Sequence, residues 1–224
     1  MADDKRILII APHPDDDVIG MGGTIAVRSK EGYKFKIVYV TNGGGSSKSP
    51  EYKDLSKIEM IELRKEEAKQ SLIPIVDDIK TVEQVFMGLD SIDLFEKPEL
   101  YTGKLAQIID GETFDSAYIP YPEDRHATHS VVASLSIEIL RNSSKQIQIY
   151  AYETWDSLPV VKNTVFVDIS KYYKQKLSAV SCHKSQCSIT PFDEGIIAKN
   201  RYNAVFKDIN SINKMQYAEI FLKL

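Results

Sequence analysis

Short apolar runs alternate along the chain with longer stretches in which apolar residues recur at helical spacing. The run at residues 5–11 is almost wholly apolar, and the run at 34–41 alternates before it becomes fully apolar. Three shorter runs of the same kind follow at residues 81–87, 115–119 and 146–152. Their length and composition predict the strands of a buried sheet.

Helical periodicity marks the stretches between these strands, at residues 18–30, 54–72, 99–110 and 128–141. Because strands alternate with helices, the pattern predicts an α/β fold. We expect a Rossmann-like, three-layer arrangement with a mostly parallel sheet.

The pattern loosens after Thr154. A strand is predicted at residues 165–169 and a helix at 171–180, whereas residues 188–224 are harder to place. We expect this last part to form a less regular C-terminal extension that walls a cleft. A chain of 224 residues without repeats or linkers is long enough for one well-buried domain and short for two. The prediction is therefore a single domain over residues 1–224.

Charge and hydropathy narrow the partners and the compartment. The net charge is −4, and the basic residues alternate with acids, as on a solvated helix face, so no nucleic-acid partner is expected. The first residues carry acids where a signal peptide needs basic side chains. No run approaches the roughly 18 apolar residues that suggest a membrane span. We expect a cytoplasmic protein without a membrane span; the oligomeric state is left open, a homo-oligomer included.

Two cysteines, Cys182 and Cys187, flank His183. Two cysteines do not make a disulfide framework in a chain of this size. A metal site of these three residues is conceivable, but structural zinc usually takes four ligands at tighter spacing. Two reduced thiols are the preferred interpretation.

Acidic and histidine side chains are concentrated directly after the first strand, where His13 and Pro14 precede Asp15, Asp16 and Asp17. Ligands of open parallel sheets bind at the carboxyl ends of the strands. Helix capping is the simpler explanation of an acid here, and Asp17 could do only that. Three successive acids exceed what capping needs, and their mutual repulsion favours a bound cation.

A second segment, with His126 and His129, follows another predicted strand and opens a helix. Alone, these residues could be two surface histidines at a helix start. Combined with the first segment, they supply the missing nitrogen ligand of a His–carboxylate–His site. Three protein ligands leave a position open for water, which is typical of catalytic zinc.

Several segments resemble the PIG-L/LmbE-like family of metal-dependent de-N-acetylases. APHPDDD at residues 11–17 resembles the family's (A/P)HPDD(E) signature, which is the most specific of the matches, and RHATHS at 125–130 resembles its later HxxH element. Weaker similarities cover TNG at 41–43, the LRxxEA helix at 63–68, Tyr152–Glu153, and the K…H-x-S-Q segment at 176–186.

This resemblance implies a ligand set and a reaction. His13, Asp16 and His129 would bind the metal, with Zn²⁺ favoured and Fe²⁺ also compatible with such ligands. The implied reaction is hydrolysis of the acetamide of a small-molecule N-acetyl amino sugar, such as an N-acetylglucosamine conjugate.

The resemblance also implies three further roles. Asp15 would be the general base, and His126 would stabilise the tetrahedral intermediate. Arg64 would reach the substrate from the second helix. The family usually has an acid where this chain has Thr128, so the support of His126 would have to come from Asp124 or Glu123 in the preceding loop.

Two other interpretations were weighed. Gly20, Gly22 and Gly23 could indicate a dinucleotide site, but they fall inside a predicted helix, where close packing explains them better. A metal-dependent glycan-binding module on the same fold is the alternative to an enzyme. Asp15 argues against that alternative, because a base beside the metal has little purpose in a binder.

The aromatic residues Tyr121, Tyr152 and Trp155 are candidates for surfaces that stack on a sugar, with burial in the core as an equal alternative.

Overall fold

One twisted sheet organises the part of the chain that the computed structural model describes, which is residues 5–46, 48–208 and 215–224. Its strands run in the order β3-β2-β1-β4-β5-β7-β6. They are β1 (Arg6–Ala11), β2 (Lys34–Thr41), β3 (Val82–Leu89), β4 (Ser116–Pro120), β5 (Gln148–Tyr152), β6 (Thr164–Asp168) and β7 (Ala218–Lys223). The pairs from β3 to β5 are parallel, whereas β7 is antiparallel to both β5 and β6.

Helices cover both faces of this sheet. They are α1 (Asp16–Lys30), α2 (Lys57–Leu72), α3 (Asp93–Glu96), α4 (Pro98–Gly111), α5 (Ala127–Asn142), α6 (Tyr173–Ser181), α7 (Lys184–Cys187) and α8 (Phe192–Tyr202). A short 3₁₀ turn at Ile79–Thr81 precedes β3, and a π-helical turn at Asn203–Lys207 follows α8.

The alternation of side chains along β1 explains the three layers. Leu8 and Ile10 point into a core with α4 and α5, whereas Ile7 and Ile9 point into a second core with α1, α2 and α6. A strand buried on both faces needs apolar residues at successive positions, which is the pattern of Ile7–Ala11 in β1. The predicted Rossmann-like α/β class with a mostly parallel sheet is confirmed.

The C-terminal segment contains more regular structure than the sequence indicates. It forms α8 and then β7, which lies between β5 and β6 inside the sheet. The predicted single domain over residues 1–224 stays a prediction, since residues 1–4, 47 and 209–214 lie outside the described part. Within that part, no helix combines the length and hydropathy that a bilayer crossing needs.

Close packing accounts for the glycines of α1. A Cβ on Gly20 would lie 2.3 Å from the ring of Tyr152, and one on Gly23 would lie 2.7 Å from Ile169. The interpretation of these glycines as packing positions is therefore confirmed. The two thiols are free, as expected, and each faces a backbone carbonyl, Cys182 that of Ser178 and Cys187 that of Val180.

The helix α1 is interrupted at Met21, whose φ of −146° and ψ of 21° are not helical. Glu219 of β7 accepts hydrogen bonds from the backbone amides of Gly23 (2.9 Å) and Thr24 (2.7 Å), just after this break. The ammonium of Lys176 lies 2.6 Å from the same carboxylate. A buried ion pair from α6 and β7 thus caps the second half of α1.

Candidate metal centre and active site

Three predicted ligand atoms meet at the carboxyl ends of β1 and β4. His13 and Asp16 lie on the turn from β1 into α1, and His129 lies in the first turn of α5. Nδ1 of His13 is 3.0 Å from Oδ2 of Asp16 and 3.1 Å from Nε2 of His129, and the latter two atoms are 3.2 Å apart. The parallel sheet therefore brings together side chains that are more than a hundred residues apart in sequence.

These atoms suit a metal ion in both kind and spacing. In a tetrahedral zinc site with bonds of about 2.0–2.1 Å, neighbouring ligand atoms lie about 3.3–3.4 Å apart. The three separations above are close to this value. One ring nitrogen from each of His13, His126 and His129 also lies within 4.8 Å of the others, so the ring of His126 lies beside the three predicted ligand atoms. Two imidazoles and a carboxylate are a donor set that zinc and iron(II) both accept.

The charges around the cluster favour a cation. Burial acts to raise the pKa of Asp16, but His129 and His13 outweigh it and hold that pKa well below its usual range. Burial likewise acts to lower the pKa of His129, yet Asp16 and Asp124 raise it to about 10. The site thus stabilises positive charge between its carboxylates, which is the field that a bound metal requires.

His129 is held from behind by two residues that the sequence did not assign to this role. Its Nδ1 lies 2.8 Å from the hydroxyl of Thr154 and 3.8 Å from Oδ1 of Asp124. The Thr154 hydroxyl is also 2.9 Å from Oδ2 of Asp124. Such partners fix the tautomer and orientation of a ligating histidine. All three side chains are buried.

The ring of His126 has a different environment from the one expected. Asp124 accepts a hydrogen bond from the backbone amide of His126, and Glu123 accepts one from Tyr121. Among the described residues, the buried Nδ1 of His126 has no hydrogen-bond partner. Burial, followed by the nearby charges of His129 and His13, lowers the pKa of His126. Neither loop acid therefore replaces the carboxylate that is missing at Thr128.

Asp15 is held by Arg64 at the floor of the cavity. Oδ2 of Asp15 lies 3.0 Å from Nη2 of Arg64, whose Nη1 donates to the carbonyl of Gly43 at 3.2 Å. Gly43 has φ of +69°, and a Cβ there would lie 2.7 Å from Nη1. The side chain of Asp15 makes no capping hydrogen bond to α1, so capping does not explain this acid. The role of Arg64 toward a substrate stays a prediction, because its guanidinium is committed to Asp15.

Asp17 turns away from the cluster into the core. Its carboxylate accepts a hydrogen bond from Tyr39 at 2.8 Å, and burial raises its pKa to about 7. This contact ties the turn that carries Asp15 and Asp16 to β2.

A cavity of about 830 Å³ opens above these residues. Its floor is formed by His13, Asp15 and Asp16, with His126 beside them. Of the three aromatic candidates, Tyr121 and Tyr152 are buried in the core, whereas Trp155 is 45% exposed and lines the cavity.

The C-terminal segment forms part of the cavity wall, as expected. Its contribution comes from Thr190 and Pro191 and from one side of α8, which presents Phe192, Gly195, Ile196 and Lys199. The sequence did not identify these residues individually, because their motif carries no recognisable chemistry.

Residues 8–140 match the model of the family described as PIG-L, GlcNAc-PI de-N-acetylase. The chain belongs to this family. The matched range contains the predicted metal ligands, Asp15, His126 and Arg64, whereas Tyr152 and Trp155 lie outside it. The PIG-L resemblance predicted from the sequence is confirmed, whereas the individual roles of these residues are not tested by the match.

Among curated proteins, the chain is similar to a diacetylchitobiose deacetylase of Thermococcus kodakarensis. The two are 29% identical over 202 residues, which is 82% of this chain and 71% of the relative. The relative's name describes a deacetylase of an N-acetylated sugar.

Solved structures show the same fold. The N,N′-diacetylchitobiose deacetylase of Pyrococcus horikoshii superposes with a TM-score of 0.80 at 24% identity, over 99% of this chain and 84% of that one. The 4-carboxy-2-hydroxymuconate hydratase GalB of Pseudomonas putida superposes with a TM-score of 0.73 at 18% identity, over 98% and 96%. Because this fold also carries a hydratase, the argument for function has to come from the site.

Proposed function

We propose that this PIG-L family chain is a metal-dependent hydrolase that removes the acetyl group from an N-acetylated amino sugar. The observation that carries the proposal is the position of the Asp15 carboxylate, which lines the cavity beside the cluster of His13, Asp16 and His129. A metal ion, a base and an open cavity are the parts that hydrolysis of an amide by water needs.

His13, Asp16 and His129 would hold the ion, with zinc favoured and iron(II) the alternative. When bound, the ion would polarise the amide carbonyl and lower the pKa of a water molecule. The protein's contribution is to fix the three ligands, and Thr154 and Asp124 secure the orientation of His129.

Asp15 would act as the proton carrier. It accepts a proton from the attacking water and delivers it to the nitrogen of the leaving amine, so that one amide and one water give acetate and a free amino sugar. Arg64 keeps the carboxylate aimed at the cavity through their ion pair. His126, on the same floor, would donate a ring N–H to the carbonyl oxygen as negative charge grows on it.

The substrate class rests on the relatives and on the size of the site. The curated relative is named for an N-acetylated disaccharide, and a cavity of about 830 Å³ has room for more than one sugar ring. An N-acetylglucosamine-type conjugate is therefore the proposed substrate.

Substitution of Asp15 tests the proposal. In Asp15→Asn, the three ligands remain, so we expect metal content to be unchanged while release of free amine from N-acetylglucosamine conjugates falls about 100-fold or more. Asp77→Asn, at an exposed carboxylate outside the site, is the matched control and should keep full activity. Unchanged turnover in Asp15→Asn would contradict the proposed mechanism.

A glycan-binding module is the second candidate function. It is favoured by the ring of His126, whose Nδ1 has no hydrogen-bond partner among the described residues. A metal-loaded wild-type protein that binds N-acetylglucosamine conjugates but releases no amine from any of them supports this alternative over the enzyme.

A further inference from the structure

Trp155 is a large apolar side chain left half exposed inside the cavity. It is the only tryptophan of the chain, and 45% of its surface is accessible. An exposed indole in a concave site is commonly a contact surface for a ligand, because its apolar area is otherwise left in water.

The segment that carries this indole is hydrogen-bonded to Asp124 and Arg125, in the loop that precedes His126. The amide of Trp155 lies 3.2 Å from Oδ2 of Asp124, the carboxylate that also bonds Thr154. On the other side, Nε of Arg125 donates to Asp156 at 2.7 Å. The residues on both sides of Trp155 are thus tied to the loop that precedes His126. These bonds fix the backbone that carries the indole relative to His13, Asp16 and His129. A preorganised surface of this kind loses little entropy when a ligand binds.

The indole continues into an apolar wall. Its ring centroid lies 5.5 Å from that of Phe192, edge to face, and 6.4 Å from that of His126, nearly parallel at 16°. Phe192 and Ile196 are one helical turn apart on α8, and both line the cavity. The wall therefore begins at the floor of the site and extends away from it.

This wall lies outside residues 8–140, the range that matches the family model. The residues of the floor all lie within that range. The family match therefore covers the floor of the cavity and not this wall.

We propose that Trp155, with Phe192 and Ile196, forms a stacking subsite for a second pyranose ring, joined to the sugar whose acetamide meets the metal cluster. The proposal rests on the proposed function and specifies its substrate class as N-acetylated disaccharides and larger glycans. The C–H groups on the face of a pyranose ring are apolar, and a flat indole offers the area to cover them.

The test compares one-ring and two-ring substrates in zinc-loaded protein. The substrates are N-acetylglucosamine and diacetylchitobiose, and the variants are Trp155→Ala and Trp155→Phe. We expect Trp155→Ala to lower kcat/KM for the disaccharide about tenfold more than for the monosaccharide, mainly through KM. Trp155→Phe keeps a ring and should lie between wild type and Trp155→Ala. The matched control is Phe206→Ala, at an aromatic residue that is 66% exposed and does not line the cavity.

The comparison separates a subsite from an indirect effect on His126. Damage to His126 lowers turnover of both sugars equally, so an equal loss in Trp155→Ala would overturn the proposal. A p-nitrophenyl N-acetylglucosaminide that outperforms the disaccharide, and loses this advantage in Trp155→Ala, would also overturn it in favour of an aromatic aglycone.

Fluorescence gives a second readout that does not need turnover. Because Trp155 is the only tryptophan, emission from Asp15→Asn protein reports on this wall when the indole is excited at the red edge of its absorption, where the tyrosines do not absorb. Diacetylchitobiose should shift or quench the emission, and no change at a calorimetrically saturating concentration would overturn the subsite. If wild type releases amine from neither these sugars nor any other N-acetylglucosamine conjugate, the proposed function fails, and the titration still decides whether the wall binds the disaccharide.

Discussion

His129 is engaged through both of its ring nitrogens. Nε2 faces His13 and Asp16, while Nδ1 faces Thr154 and Asp124. The second pair sets the tautomer that leaves Nε2 free to bind a metal. A threonine hydroxyl is a weak partner by itself, but here it is also bonded to the buried Asp124 carboxylate. The orientation of the His129 ring thus depends on a residue 25 positions away in sequence.

Thr154→Val tests this arrangement. The change keeps the shape of the side chain and removes the hydroxyl that bonds Nδ1 of His129, so we expect zinc affinity to fall about 10- to 100-fold. Competition with a chelating dye measures the affinity. Thr164→Val is the matched control, because the hydroxyl of Thr164 bonds the backbone of a loop at Val161 and Pro159. The zinc affinity of this variant should equal that of wild type. Wild-type affinity in Thr154→Val would show that Thr154 does not tune the ligand.

For single residues, the sequence predicted which side chains form the cluster but not which residues hold His129 in place. The meeting of His13, Asp16 and His129 was predictable, because each follows a strand and lies in a specific motif, and their role as metal ligands stays a prediction. Thr154 was not, because a threonine after a strand has no distinctive pattern and its partner lies in another segment. The sequence named Asp124, but for the ring of His126 rather than that of His129.

Among the elements, α1 is the most constrained, since it carries the ligand turn at its start and packs closely along its length. Gly20 lies one residue before the break at Met21 and meets the ring of Tyr152. The hydroxyl of Tyr152 in turn donates to the carbonyl of Ile10 in β1 at 2.8 Å. The spacing between α1, β1 and β5 near the site is therefore set by a glycine and a tyrosine.

Gly20→Ala and Gly103→Ala should change stability in opposite directions. An added methyl group at Gly20 would overlap Tyr152, and such overpacking costs about 1–3 kcal/mol in the free energy of unfolding. Gly103, inside α4, has no atom within 4 Å of an added Cβ, so alanine should stabilise the protein by about 0.5–1 kcal/mol through helix propensity. Urea unfolding of both variants measures these changes. Equal effects would show that the packing around Gly20 relaxes freely.

In the whole molecule, the sheet gathers the active-site residues from distant parts of the chain onto one edge. That much was predictable, because parallel strands share the direction in which they end. The position of β7 was not predictable, since an antiparallel strand between β5 and β6 depends on pairings between residues 50 to 73 positions apart, which local periodicity does not reveal. The cavity wall on α8 escaped detailed prediction for another reason, because its residues carry no recognisable chemistry.

Metal binding should stabilise this assembly, because its ligands come from two separate segments that are apart in the unfolded chain. Zinc at about a hundredfold excess over its Kd should add about 2.7 kcal/mol to the free energy of unfolding and raise Tm. His129→Ala should abolish this zinc-dependent rise in Tm. His183→Ala, at a buried histidine outside the cluster, should show the same rise even if its Tm without zinc differs from that of wild type. Differential scanning fluorimetry measures both, and a rise that survives His129→Ala would contradict the assigned ligand.

The place of β7 in the sheet also bears on how the protein opens. Among the described strands, β6 is hydrogen-bonded to β7 alone, so it cannot remain in the sheet once β7 has left. These two strands therefore form one cooperative unit that detaches together, while the parallel strands that carry the ligands keep all of their mutual pairings. Partial unfolding from this edge would loosen Glu219 from α1 and leave β1, β4 and the two histidine-bearing turns assembled.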